Sequence, residues 1–155
     1  MKQFLLLLFL SFSVISTAQK QKVSLDEDTI MVDEKPYAIL EKKRGLTMAF
    51  TLKSLTGTEL GYFNLQEFND PKAANNANSN GRVTYFEVTF FNDSRQCEIN
   101  IPATKKSVAK EIVENSLVKE NIIDTEAESK CILINGSKFT ERRKALGGTV
   151  IIINN

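Results

Sequence analysis

Across residues 22–101, apolar and polar side chains alternate with a period of two, and turn residues interrupt the pattern about every eight to twelve positions. Successive side chains of a strand point to opposite faces, so the pattern fits consecutive antiparallel strands with one dry face and does not fit a helix. Short runs at 23–25 and 29–32 flank the acidic turn Asp26-Glu27-Asp28, and Asp33-Glu34-Lys35-Pro36 turns the chain into 37–43. Arg44-Gly45 breaks it again. In 47–55, Met48, Phe50 and Leu52 share one face while Thr47, Thr51 and Lys53 share the other. Thr56-Gly57 supplies a tight turn into 60–68, where Gly61 suits a bulge.

Residues 69–81, Asn-Asp-Pro-Lys-Ala-Ala-Asn-Asn-Ala-Asn-Ser-Asn-Gly, contain nothing that anchors a core, and composition predicts a disordered loop. The strand at 82–91 carries Phe86, Val88 and Phe90 on one face and Val83, Tyr85 and Phe91 on the other. Residues 96–101 then place Cys97, Ile99 and Ile101 together. After Pro102 the period changes. Thr104 suits an N-cap, and Ala109, Ile112, Val113, Ser116 and Leu117 form a helical stripe ending near Asn121. Asp124 or Thr125 suits the cap of a second helix, with Gly136 at its C-terminus, although 126–135 is also compatible with a short buried strand. Gly147-Gly148 leads into 149–153, a β-branched run that reads as a final strand. The expected fold class is α+β: a twisted antiparallel meander of about six to eight strands with one or two C-terminal helices packed on one face. The alternative is a small open barrel around the longer helix.

Residues 1–18 have the parts of a cleavable signal peptide: Met1 and Lys2, an apolar run over 4–15, and the small residues Ser16 and Ala18 before Gln19. The run is shorter than the ~20 residues of a transmembrane helix. Export to the periplasm or the extracellular space is expected, with 19–155 as a single domain and no membrane span after cleavage. Of 20 basic residues, Lys2 leaves with the leader, so 19 basic face 19 acidic ones and the near-zero net charge argues against nucleic acid as a partner.

The chain has no histidine, which removes Ser-His-Asp and Cys-His catalysis and histidine-bearing metal sites. No cofactor or metal is expected, and no catalytic residue is nominated. Asp26-Glu27-Asp28 lacks the glycine and distal glutamate of a calcium loop. Cys97 and Cys131 either bridge, closing a loop of about 35 residues, or stay as buried thiols. Arg142 and Arg143, with Lys138, are candidates for contact with a phosphate or carboxylate. The pairs Tyr62-Phe63 and Phe90-Phe91 are the candidate binding surface, with one member of each pair expected in the core.

The leader ending Ser16-Thr17-Ala18-Gln19-Lys20, the segment Val32-Asp33-Glu34-Lys35-Pro36-Tyr37-Ala38 and the segment Phe50-Thr51-Leu52-Lys53-Ser54-Leu55-Thr56-Gly57 resemble small exported hypothetical proteins of Bacteroidota-type bacteria. That resemblance implies a bacterial envelope setting and carries no activity. The expected function is a non-enzymatic binding domain whose partner is another envelope protein or a small apolar ligand. The alternatives are a hydrolase working with carboxylates alone and a secreted inhibitor or immunity-type protein.

Overall fold

Each turn between residues 22 and 101 reverses the chain before its apolar face is exhausted, so the alternation becomes a meander. In a computed structural model describing residues 21–43 and 48–147, seven strands form one antiparallel sheet in chain order. They are β1 (Val23–Asp26), β2 (Thr29–Val32), β3 (Lys35–Lys42), β4 (Ala49–Lys53), β5 (Glu59–Asn69), β6 (Arg82–Phe90) and β7 (Gln96–Ile99). The fold is α+β, as the period change at Pro102 indicates. Residues 1–18, expected to form a signal peptide, residues 44–47 and the β-branched run 149–153 lie outside the described residues. Among the described residues no helix is long and apolar enough to cross a membrane.

The register assigns every side chain of the central strands to a face. Leu40 opposes Leu52, Phe50 opposes Phe63, Phe63 opposes Val88, and Val88 opposes Cys97. With Ile30, Phe86, Phe90 and Ile99 these residues are buried in one cluster under the helices. Between Leu52 and Lys53 the register shifts, so Leu60 is the extra residue of a bulge beside Gly61.

Helix α1 (Lys105–Glu114) begins where the Thr104 hydroxyl accepts the Ser107 amide at 3.1 Å. It buries Val108, Ala109, Ile112 and Val113 on the first face. The helix stops before the expected Asn121, because Ser116 turns left-handed at φ 52° and the chain reverses into a small hairpin. Strands β8 (Val118–Lys119) and β9 (Ile122–Ile123) form it, with Glu120 and Asn121 supplying the two positive φ angles of its turn. The Tyr37 hydroxyl pins that hairpin to β3 by donating to the Val118 carbonyl at 2.6 Å. Asp124 caps α2 (Thr125–Asn135), accepting the Glu126 and Ala127 amides at 3.0 and 2.9 Å, so residues 126–135 are helix and not strand. Cys131 of α2 is joined to Cys97 of β7, tying the helix to the end strand of the sheet.

The candidate cations Lys138, Arg142 and Arg143 belong to a third helix, α3 (Lys138–Ala145). Its placement follows from Glu98. That carboxylate is buried on the second face of β7 and accepts the Phe139 amide at 2.6 Å and the Thr140 amide at 3.0 Å. Ser137 makes no side-chain cap, so a glutamate from the sheet satisfies the first-turn N–H groups of the helix. Phe139 then stacks on Tyr85, which meets Phe68 edge-on, giving the second face an aromatic cluster of its own.

The segment 69–81 is built and not structureless, which corrects the expectation drawn from its composition. Pro71–Ala73 is a 3-10 turn capped by Asp70, and Asn75 and Asn78 pair their backbones and bond local carbonyls and amides through their side chains. Asparagine amides can replace a core by holding the backbone of a turn directly. Gly81 closes the loop at φ +62°, where an added Cβ would lie 2.0 Å from the Asp70 carbonyl oxygen.

Glu98→Ala should destabilise the domain by about 2 kcal/mol in urea unfolding and strip hydrogen-exchange protection from α3 first, with Glu98→Gln recovering part of the loss. Gly81→Ala should cost about 2 kcal/mol or more, read as a lowered thermal midpoint, because it adds a clash to a strained φ.

Candidate functional site

The sheet's second face is divided in two. Helix α3 runs from Glu98 on β7 over Tyr85 on β6 to β5, where the Arg143 guanidinium donates to Gln66 at 3.2 Å. Arg142 reaches further, to the buried carboxylate of Asp70. The strand ends beyond the helix, bearing Glu41, Thr51, Lys53, Tyr62, Thr89, Phe91 and Gln96, have no element packed over them among the described residues.

On this open half the register lines up one polar side chain per strand. Glu41 opposes Thr51, Thr51 opposes Tyr62, Tyr62 opposes Thr89, and Thr89 opposes Gln96. The row runs across five neighbouring strands at right angles to them, at a spacing of about 4.8 Å per strand. Tyr62 is at its centre, half-buried, with burial raising its phenol above the ordinary value. Phe91, the first residue after β6, lies beside it with 45% of its surface exposed, an unusual exposure for a phenylalanine. Tyr62 and Phe91 border a shallow depression of about 580 Å³ whose other walls are Glu41, Lys42, Lys43, Thr51 and Glu59.

The charges around the row are matched to one another. Lys53 lies between Glu41, at 2.5 Å, and Glu59, at 3.9 Å. The hydrogen bond to Glu41 raises the Lys53 ammonium above its ordinary value. The Lys43 ammonium sits 5.2 Å above the Tyr62 ring. Across the row, the Gln96 amide donates to the Thr89 hydroxyl at 3.1 Å.

Of the four aromatic candidates, the structure brings Tyr62 and Phe91 together on the open face and buries Phe63 and Phe90 completely in the first-face core. The last two are therefore no part of a binding surface. Arg142 pairs with Asp70 and Arg143 donates to Gln66, so both guanidinium groups hold α3 down, and Arg142 stays partly exposed. Thr51, Thr89, Gln96 and Glu41 were not nominated from the sequence. The alternation does put Thr51 on the polar face, but only the pairing register shows that the four are in line with Tyr62.

A second polar cluster sits at the β6–β7 turn. Glu128 of α2 is wholly buried, and its Oε2 accepts Asn92 Nδ2 at 2.7 Å and pairs with Arg95 at 3.0 Å. Its Oε1 has no hydrogen-bond partner among the described residues. Arg95 also pairs with Asp93. Burial works to raise the Asp93 carboxyl, but the Arg95 amide and guanidinium hold it below the ordinary 3.8. A carboxylate sealed under its own helix docks that helix and is closed to a substrate. Among the described residues no group of three or more Cys, Asp or Glu side chains could hold a metal ion, and the acidic turn at 26–28 is occupied by Lys105, which pairs with Asp28.

Comparison with protein-family models, curated proteins and solved structures finds no match to this chain.

Asp70 behaves like Asp93: burial opposes its charge, while the Lys72 amide and Arg142 together bring its carboxyl below 3.8. A carboxyl depressed in the folded state contributes stability above its unfolded value and loses it as pH falls through the folded one. The thermal midpoint should therefore hold near pH 6 and fall as the solution is acidified from about pH 4 toward pH 2. Asp70→Asn and Asp93→Asn should each flatten part of that fall in scanning calorimetry.

Proposed function

We propose that the chain is an exported, non-enzymatic binding domain whose ligand lies on the open half of the second sheet face. The observation that carries the reading is the exposure of Tyr62 and Phe91 side by side where, among the described residues, neither α3 nor any other element lies over the sheet. Tyr62 is held on β5, and Phe91, just past the end of β6, is fixed by its amide on the Leu60 carbonyl at 3.0 Å, so the two rings give contact area at little entropic cost. The depression is walled by charged and hydroxyl groups, so a purely apolar small molecule is a poor occupant. Catalysis by carboxylates has little support, because Glu41 and Glu59 are separated by Lys53, and Glu128 is enclosed.

The export setting rests on the leader at 1–18 and is consistent with the Cys97–Cys131 bridge, which persists in oxidising compartments. In that setting the ligand belongs to the envelope or its surroundings.

Tyr62→Ala/Phe91→Ala should leave the thermal midpoint within about 2 °C of wild type, since neither ring is in the first-face core. The same variant, immobilised as residues 19–155, should retain at least about tenfold less material from an envelope extract than wild type. Equal retention by the two proteins would remove this face as the ligand surface.

A further inference from the structure

We infer that the ligand of this face is an extended, neutral, β-1,4-linked saccharide chain lying across the strands along the row Glu41, Thr51, Tyr62, Thr89 and Gln96; the inference rests on the binding reading above. Its basis is the match between the row and such a polymer. A hexopyranose with equatorial substituents has two apolar C–H faces and a rim of hydroxyls. Tyr62 and Phe91 offer rings for the faces, while Thr51, Thr89 and Gln96 offer donors and acceptors for the rim. The strand spacing of about 4.8 Å is close to the length of one sugar unit in an extended chain, so the row repeats with the polymer over about 19 Å from β3 to β7.

The charge pattern selects a neutral chain. The wall residues and Glu87, which faces Asn64 on the same side of the sheet, bring three carboxylates, at Glu41, Glu59 and Glu87, against three ammonium groups, at Lys42, Lys43 and Lys53. Two of the carboxylates already contact Lys53. Among the described residues a polyanion would find no surplus of cations here.

Other occupants fit less well. An extended peptide adds to a sheet through unpaired backbone groups along an edge, whereas four of the five strands under the row, β3 to β6, are interior and paired on both sides, and only Gln96 lies on the end strand β7. A globular partner needs about 800 Å² of its own surface against a desolvated apolar centre, and two rings among paired charges provide a small one.

The test is isothermal titration of residues 19–155 with cellohexaose and mannohexaose, compared with cellobiose and with the α-linked, curved maltohexaose. At least one β-linked hexamer should bind about tenfold or more tightly than cellobiose and than maltohexaose, with less than about a twofold change between 50 and 500 mM sodium chloride. Tyr62→Ala and Phe91→Ala should each weaken it about tenfold without moving the thermal midpoint. Absence of binding by both hexamers at millimolar concentration, equal affinity for cellobiose, or a steep salt dependence would each overturn the saccharide assignment. If that occurs while Tyr62→Ala/Phe91→Ala still abolishes retention of envelope material, the binding surface stands and only its ligand is wrong. Undiminished hexamer binding by the double variant would sink both.

Discussion

The pairing of β5 with β6 governs the rest of the molecule. Nine consecutive positions, from Gly61 opposite Phe90 to Asn69 opposite Arg82, lock two long strands in one register. Because side chains alternate, that single register sends Phe63, Leu65, Phe86, Val88 and Phe90 to one side and Tyr62, Gln66, Phe68, Tyr85 and Thr89 to the other. A slip by one residue would exchange the two sets and leave the helices facing polar side chains. Both the core and the open aromatic face are consequences of the same ladder.

The two faces are then closed by different chemistry. The first is closed by apolar burial, with α1 laid on the sheet and α2 tied to β7 through Cys97 and Cys131. The second is closed in part by α3, which rests on the Phe139–Tyr85 stack and is fixed by polar anchors: Glu98 at the start of α3, Arg143 on Gln66, and Arg142 on Asp70. Buried charges of this kind are favourable only when fully partnered, which is why each guanidinium meets an oxygen of the sheet or its loop. The anchors also define where α3 goes, and therefore which part of the face it leaves open for Tyr62 and Phe91.

Much of the meander was legible from the chain. The period of two, the turn residues and the switch to a helical stripe after Pro102 are local signals, and the strands fall within a residue or two of the expected bounds. Helix α3 was missed because its apolar content is low: it is held by Glu98, Arg142 and Arg143, and a helix anchored by polar contacts has no hydrophobic stripe to read. The loop at 69–81 was misjudged for a related reason, since its order comes from Asn side chains bonding the backbone, with Asp70 held by Arg142 from 72 positions along the chain. The candidate surface was half legible. Adjacent aromatics at 62–63 and 90–91 must face opposite ways, but which of each pair is exposed depends on the side the helices occupy.

The sequence by itself determined the local terms: strand and turn positions, a chain without imidazole chemistry, a balanced charge, and one face of each strand suited to burial. These follow from side-chain periodicity and composition, which need no knowledge of distant residues. Tertiary structure alone decided the register between strands, the joining of Cys97 to Cys131, the crossing of α3 over the second face, and the alignment of Glu41, Thr51, Tyr62, Thr89 and Gln96 in one row. Each of these is a relation between residues far apart in the chain, and it exists only once pairing and packing have brought them within a few ångströms of one another.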